Sequence, residues 1–193
     1  GYLIPKKSLE STTILYSFGL EADWSFEEDF YHLTKSKIYC YDHTVNYKFF
    51  LKLFLGNPKT ILKFFQYKIF FDNKDKFHIR KMICPTKSYS PSLNENSLAD
   101  LDSIIKTKVD KKNFFKIDIE GHEYRILDQI KKYSSSMNGL AIEFHNCDLH
   151  SDKIKNFINN FELQLVHIHV NNWALVNSDN SPRVIELIFS TKD

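Results

Sequence analysis

The sequence predicts an α/β fold with a seven-stranded, mostly parallel sheet, an antiparallel last strand and helices on both faces. Short apolar runs alternate with longer amphipathic ones along the chain, a pattern typical of parallel α/β sheets. Polar residues cluster where the apolar runs end, and ligands bind beyond those ends in open α/β sheets. Only a loop, residues 171–183, separates the last two runs, so the last strand is expected to run antiparallel to its neighbour.

Each element follows from a local pattern. The apolar runs that predict strands cover residues 13–17, 38–42, 77–83, 114–119, 140–145, 163–169 and 184–190. The amphipathic runs that predict helices cover residues 26–34, 47–55, 59–66, 98–105, 123–132 and 151–159. The second and third helices are separate because Gly56 can end one and Pro58 can begin the next. Six parallel strands and an antiparallel seventh form the Rossmann-like sheet of class I methyltransferases.

Length and composition indicate one globular domain over residues 1–193, with 42% hydrophobic residues. Because the chain begins with Gly rather than Met, we expect a processed, tagged or truncated form. The net charge, 26 − 24 = +2, gives no sign of a nucleic acid partner, and none is expected. Oligomerisation stays open.

The cysteines and the apolar runs indicate the compartment. Cys40, Cys84 and Cys147 are widely spaced and form no CxxC pair, which favours a reducing cytoplasm over a disulfide framework. No apolar run approaches the ~20 residues that span a bilayer, so no stable membrane insertion is expected.

The first candidate binding segment follows the first strand. Ser17 and Phe18 lead into Gly19, which permits close backbone approach to a ligand, and Ser25 is predicted as the N-cap of the next helix. Asp42 lies 23 residues after Gly19, about where an acid binds a nucleotide ribose. The segment lacks GxGxxG, which argues against a dinucleotide fingerprint. An ordinary strand–turn–helix connection explains the same residues.

A second candidate segment is FFKIDIEGHEYRIL, residues 114–127, where acids follow an apolar strand. Alternation places Lys116, Asp118 and Glu120 on one side of this strand, and Gly121 lets the chain turn into a helix. Buried carboxylates are costly unless paired, so we expect Asp118 and Glu120 to face a crevice at the end of the strand. The alternative is that one of them caps the helix.

Two later strands each end in a histidine. By period two, Glu143 shares a face with His145, and His167 shares one with His169. Imidazole is suited to proton transfer near neutral pH, which makes His145 and His169 candidate bases. With the acids of the preceding segment they could instead bind a divalent metal, although the spacing matches no recognised ligand motif, so no required metal is expected.

Residues 49–71 combine many aromatic side chains with lysines. The favoured interpretation is core-facing helices whose lysines are solvated. The alternative is a lid or partner surface that contacts an anionic substrate or membrane headgroups.

Taken in chain order, these stretches resemble the FkbM-like S-adenosylmethionine-dependent O-methyltransferases. The resemblance covers residues 13–189, and KIDIEGHE, residues 116–123, is its most specific part. It implies a class I methyltransferase fold, S-adenosylmethionine as cofactor, and methyl transfer to a hydroxyl, often on sugars or polyketide-type natural products. The acceptor we favour is a sugar or sugar-nucleotide, as in bacterial surface polysaccharide synthesis. Leu20 and Glu21 stand where many methyltransferases have a second glycine, and residues 47–81 do not align.

The resemblance also implies which residues bind the cofactor. Its methionine end is expected at the turn after the first strand, on Ser17, Phe18, Gly19, Asp23 and Ser25. The ribose is expected on Asp42, and Asp118 is expected near the junction of cofactor and acceptor.

On the acceptor side the resemblance implies Glu120, His145, His169 and Asn172. We expect His145 or His169 to take the acceptor proton, Asp118 or Glu120 to orient the acceptor or the imidazole, and Asn172 to bind an acceptor hydroxyl. Two alternatives are a metal-assisted O-methyltransferase of a non-sugar natural product and a non-catalytic binding module of a larger synthase on the same fold.

Overall fold

The computed structural model describes residues 2–85, 97–105, 112–172 and 174–192. Its main sheet contains β1 (Ile14–Phe18), β2 (Lys37–Tyr41), β3 (Lys76–Ile79), β6 (Asn113–Ile117), β7 (Met137–His145), β8 (Gln164–Val170) and β9 (Val184–Ser190). The spatial order is β3-β2-β1-β6-β7-β9-β8. Strands β3, β2, β1, β6 and β7 pair in parallel, whereas β9 lies antiparallel to both β7 and β8. The predicted sheet with its antiparallel last strand is therefore confirmed.

Two short strands, β4 (Met82–Ile83) and β5 (Leu98–Ala99), pair with each other outside this sheet. The predicted strand over residues 77–83 is thus two strands, separated where Lys81 N–H donates to the Ile79 carbonyl at 2.7 Å. The predicted helix over residues 98–105 begins only at Leu101, because the Asp100 carboxylate accepts the N–H of Asp102 at 3.0 Å and caps the helix there.

The described helices are α1 (Lys6–Ser11), α2 (Ser25–Thr34), α3 (Tyr47–Gly56), α4 (Ile61–Phe71), α5 (Leu101–Ile105), α6 (Leu127–Lys132) and α7 (Cys147–Asn159), with 3-10 turns at Pro58–Thr60, Glu123–Arg125 and Ser134–Ser136. Helix α1 was not predicted. The helix predicted over residues 123–132 begins as a 3-10 turn. The helix predicted from residue 151 begins four residues earlier, at Cys147.

The sheet is buried on both faces. One face carries a core that includes Phe115, Ile117 and Phe144. The opposite face carries Leu15, Ile38 and Phe114 under α2, α3 and α4, and it is on this face that polar side chains follow the apolar ones toward the strand ends. Within the described part of the chain, no helix is long and apolar enough to cross a membrane. All three cysteines are buried free thiols.

Candidate functional site

A cleft of about 600 Å³ opens where the carboxyl ends of β1, β2 and β6 meet. Its wall includes Gly19, Glu21, Asp42, Asp118 and Glu120. We call it the first cleft, and it brings together the predicted glycine turn and the predicted acids.

Gly19 forms the floor of the first cleft in a conformation that requires glycine. Its φ is +88°, and its N–H donates to the Tyr41 carbonyl at 3.0 Å. A Cβ added at Gly19 would lie 1.6 Å from the carbonyl oxygen of Asp118, so no side chain fits. The Asp118 N–H in turn donates to the Phe18 carbonyl at 2.9 Å. Two loops from neighbouring strands are therefore locked together beneath the cleft.

Asp42 holds the loop that follows Gly19 rather than presenting free oxygens. Its Oδ2 accepts the backbone N–H groups of Leu20 at 2.9 Å and Glu21 at 3.0 Å. Its Oδ1 accepts the N–H and the hydroxyl of Thr44, both at 2.6 Å. Although burial acts to raise the Asp42 pKa, these bonds hold it below its ordinary value. A carboxylate offers about four acceptor positions, and these four bonds use them all. Asp42 therefore has no acceptor position left for the ribose hydroxyls that it was predicted to bind.

The remaining acids give the first cleft a negative wall. Glu21 has a φ of +47°, and its pKa is raised by burial and then by the charges of Glu120 and Asp118. Carboxylates that repel one another across a cleft are stabilised by a bound cation. The cleft therefore suits a positively charged ligand.

Lys116 is a buried ammonium beneath this wall. Its Nζ donates to the Gly19 carbonyl at 2.9 Å and lies 3.4 Å from Asp118 Oδ2 and 4.0 Å from Glu27 Oε1. Burial acts to lower the Lys116 pKa, but the carboxylates of Glu27 and Asp118 outweigh burial and raise it. The Ser17 hydroxyl donates to Glu27 at 2.5 Å, so the side chain of Ser17 is part of this buried network and not of the cleft surface.

A second cleft of about 670 Å³ lies beside the first. It is lined by Glu120, His145, Asn146, Ala174, Leu175, Arg183 and Val184. Glu120 lines both clefts and has a φ of +54°. Because one side chain belongs to both, ligands in the two clefts would be near neighbours.

His145, at the end of β7, is surrounded by carboxylates. Its Nδ1 lies 3.1 Å from Glu123 Oε1, and its Nε2 lies 3.5 Å from Glu120 and 3.6 Å from Glu143. Burial acts to lower the pKa of His145, but the hydrogen bond and charge of Glu123, followed by the charge of Glu120, raise it to about 9. With Glu123 accepting from Nδ1, Nε2 is left for other partners, and it lies close to Glu120, which also lines the second cleft.

Glu123 is a site residue that the sequence analysis missed. It is fully buried, and its Oε1 also accepts the N–H groups of Ile119 and Gly121, each at 3.1 Å. Its Oε2 has no hydrogen-bond partner within the described part of the chain. The signal that could have found Glu123 is its place as the last residue of KIDIEGHE, the most specific part of the resemblance.

Glu143 was noted for its shared face with His145 but was not predicted as a site residue. The side-chain amide of Asn171 donates to Glu143 Oε1 at 3.1 Å, and the Tyr2 hydroxyl donates to Oε2 at 3.4 Å. Burial, and then the charge of Asp118, raises the Glu143 pKa to about 7. The side-chain amide that contacts Glu143 is therefore that of Asn171, whereas the predicted Asn172 is exposed.

Asp118, Glu143 and His145 also form a group that could hold a metal ion. One ligand atom of each lies within 4.8 Å of the other two. Carboxylate oxygens with an imidazole nitrogen suit several divalent metals. The bond from His145 Nδ1 to Glu123 resembles the outer hydrogen bond that orients metal-binding histidines.

Other predicted residues lie away from both clefts. Phe18 is fully buried in the core, and only its backbone reaches the floor of the first cleft. The exposed Asp23 carboxylate accepts the N–H of Ser25 at 3.0 Å, and Trp24 is the N-cap of α2, so Ser25 is not the cap. His169 lies on β8, the outermost strand, opposite Glu186 on β9. Because Glu186 in turn lies opposite Glu143 on β7, His169 is two strands from Glu143, or roughly 10 Å at ordinary strand spacing.

No protein-family model and no curated protein matches the chain. Solved structures do match. A precorrin-6y C5,15-methyltransferase from Geobacter metallireducens superposes with a TM-score of 0.50 at 11% identity, over 97% of this chain and 85% of that one. TrmK from M. capricolum, solved with S-adenosylhomocysteine, gives 0.50 at 11% identity over 97% of this chain and 66% of that one. A candidate RNA methyltransferase from Pyrococcus horikoshii gives 0.50 at 7% identity, over 96% and 77%.

These likenesses establish the fold. The chain has the Rossmann-like fold of class I S-adenosylmethionine-dependent methyltransferases, as the sequence predicted. The FkbM-like family is a finer assignment, and it stays a prediction.

The expectation that nucleic acid has no part is wrong. Proteins of this fold include a candidate RNA methyltransferase, so a net charge of only +2 did not justify excluding nucleic acid as a substrate. Net charge describes the whole surface, whereas a substrate contacts only a local part of it.

Proposed function

We propose that the protein is an S-adenosylmethionine-dependent O-methyltransferase that acts on a hydroxyl of a sugar or sugar-nucleotide. The observation that carries this proposal is that Glu120 lines both clefts, because it sets the acid–imidazole cluster of His145 directly beside the first cleft. An acceptor hydroxyl in the second cleft would then lie close to a methyl donor in the first. The sugar class follows from the resemblance to the FkbM-like enzymes and is an analogy.

The first cleft suits S-adenosylmethionine in charge. The cofactor's amino and sulfonium groups are positive, and Glu21, Asp118 and Glu120 line the cleft. Asp42 contributes by holding the loop at Leu20 and Glu21 in place. When bound, the cofactor supplies an electrophilic methyl group.

His145 is the proposed base. It lies on the second cleft, and Glu123 fixes its ring so that Nε2 can take the acceptor proton. With a pKa of about 9, His145 holds its own proton at neutral pH when the first cleft is empty. A bound cofactor would place positive charge beside Asp118 and Glu120. This charge offsets the carboxylates that raise the His145 pKa, so we expect cofactor binding to lower that pKa toward the working pH.

Calorimetry with S-adenosylmethionine, followed by a labelled-methyl assay with sugar-nucleotides, tests the proposal. We expect S-adenosylmethionine to bind and its methyl group to be transferred. The value of kcat/KM should rise as the pH passes about 9, because it reports the pKa of His145 in the free enzyme. The value of kcat should rise at a lower pH, because it reports the enzyme with cofactor bound. A folded sample that binds no cofactor overturns the proposal. Binding without transfer to any hydroxylated acceptor favours a binding module. Transfer to RNA but not to sugars overturns the substrate class alone.

A metal-assisted reaction is a second candidate because Asp118, Glu143 and His145 converge. A cation held there would polarise an acceptor hydroxyl, and His145 would then be a ligand instead of a base. Full activity after EDTA treatment excludes this version. Loss of activity that Mg²⁺ or Mn²⁺ restores supports it.

A further inference from the structure

The helical hairpin formed by α3, the turn 57–60 and α4, residues 47–71, exposes large apolar side chains. Eight of its apolar and aromatic residues are exposed: Tyr47, Leu51, Phe54, Leu55, Ile61, Leu62, Phe65 and Ile69. Leu55 and Ile69 leave 74% and 75% of their surface accessible. Soluble proteins rarely concentrate so many exposed apolar side chains unless the surface binds something.

The exposed side chains form a stripe on each helix. On α3 they recur at i, i+4, i+7 and i+8 from Tyr47, and on α4 at i, i+1, i+4 and i+8 from Ile61. Such spacing covers one side of a helix, about 100° wide. The opposite sides already pack into the core through Phe50 and Tyr67. Each helix is therefore apolar on two sides, and only one of them is covered by the protein.

The same hairpin is strongly basic. It contains Lys48, Lys52, Lys59, Lys63 and Lys68 and no Asp or Glu. The whole chain has a net charge of +2, so the residues outside the hairpin sum to +2 − 5 = −3. No hairpin lysine forms an ion pair with any residue that the structure describes. Lys52 and Lys68 lie at the borders of the two exposed stripes.

We propose that the hairpin docks on the surface of an anionic lipid bilayer. An apolar stripe bordered by lysines matches such a surface, where the stripe enters the boundary of the acyl chains and the lysines meet anionic headgroups. A symmetric dimer through the hairpin would set five lysines against five. A nucleic acid would meet the lysines but leave the apolar stripes without a partner. The lipid surface satisfies both features.

Co-sedimentation with vesicles tests this docking. We expect the protein to bind vesicles that contain phosphatidylglycerol at least tenfold more tightly than vesicles of phosphatidylcholine alone, with weaker binding at high salt. The double variant Leu55→Gln/Ile69→Gln and the double variant Lys52→Gln/Lys59→Gln should each lose at least tenfold in binding. All four side chains are exposed, so folding should survive, as circular dichroism will check.

Matched controls replace exposed residues of the same types elsewhere. Leu33→Gln/Leu149→Gln and Lys153→Gln/Lys155→Gln should bind vesicles like the parent protein. Absence of binding to phosphatidylglycerol vesicles by the folded parent overturns the proposal, as does an equal loss in the controls. A dimer in sedimentation velocity that Leu55→Gln/Ile69→Gln dissociates assigns the hairpin to a second copy instead. Cofactor binding is measured separately, so the results on vesicle binding and on dimerisation do not bear on the proposed methyl transfer.

Discussion

The carboxyl edge of the sheet and the hairpin of residues 47–71 depart from the usual distribution of side chains in opposite directions. At the edge, charged groups such as Lys116, Glu27 and Glu123 are buried. On the hairpin, apolar groups such as Leu55 and Ile69 are exposed. Buried charges need fixed partners inside the protein, whereas exposed apolar groups need a partner outside it. The first region should therefore be intolerant of substitution for folding, and the second tolerant.

The largest expected effect comes from removing the buried cation at the edge. Lys116→Met leaves Glu27 and Asp118 without their ammonium, and breaking a buried pair from one side costs about 3–5 kcal/mol. Urea unfolding at neutral pH measures this loss. The exposed Lys112→Met should be near neutral, and Lys116→Met/Glu27→Leu should recover part of the stability. Similar stabilities for Lys116→Met and Lys112→Met would contradict the view that the edge depends on internal pairing.

The next effect is on turnover. His145→Gln should lower kcat by about 10²- to 10⁴-fold, the usual contribution of a positioned base, while S-adenosylmethionine affinity is kept or increased, because the variant has no imidazolium charge near the cofactor. His167→Gln, a half-exposed histidine on β8, is the control and should keep its activity. Loss of cofactor binding with unchanged kcat would show that His145 serves the first cleft instead.

Gly19→Ala separates packing from charge at the edge. The new Cβ meets the Asp118 carbonyl and the φ of +88° is strained, and each of these should cost about 1–3 kcal/mol and weaken cofactor binding. Gly56→Ala, where a Cβ meets nothing within 4 Å, is the matched control. Thermal unfolding and calorimetry measure both effects, and equal behaviour of the two variants would remove Gly19 from the floor of the cleft.

A smaller effect concerns pH. The His145 pKa is raised from 6.5 to about 9, so the folded state favours the protonated ring. This stabilisation is fully present below the unfolded pKa of about 6.5 and is lost as the pH rises through 9.

NMR titration of the imidazole measures the His145 pKa directly. Glu123→Gln should move it down, because it removes a charge and a strong acceptor at Nδ1. Glu162→Gln, an exposed glutamate at the far end of the sheet, should leave it unchanged.

The smallest expected effect is on the hairpin itself. Leu55→Gln/Ile69→Gln should change the free energy of unfolding by less than about 0.5 kcal/mol, as exposed substitutions usually do. Phe50→Ala, on the covered side of α3, should cost about 3–5 kcal/mol. If the double variant were as destabilised as Phe50→Ala, the exposed stripe would be serving the fold, and the contrast between the two regions would fail.

The fold was predictable because its signals are local. Apolar runs ended in polar residues, and a short last loop required an antiparallel strand. The site was less predictable because its partners come from distant segments. Glu123 reaches His145 from the 3-10 turn that follows β6, and Tyr2 reaches Glu143 from the start of the chain. Asp42 followed the expected spacing, but spacing cannot show that Leu20, Glu21 and Thr44 fill its acceptor positions.

The interlocked floor of the first cleft has a consequence for ligand binding. Gly19 rests against Asp118, and Asp42 holds Leu20 and Glu21 through hydrogen bonds within the protein itself. Binding therefore orders little of the backbone, and less of the interaction energy is lost to conformational entropy. The cleft is preorganised, so ligands that differ by a single charge at its acidic wall should be discriminated by electrostatics rather than by a rearrangement of the loop.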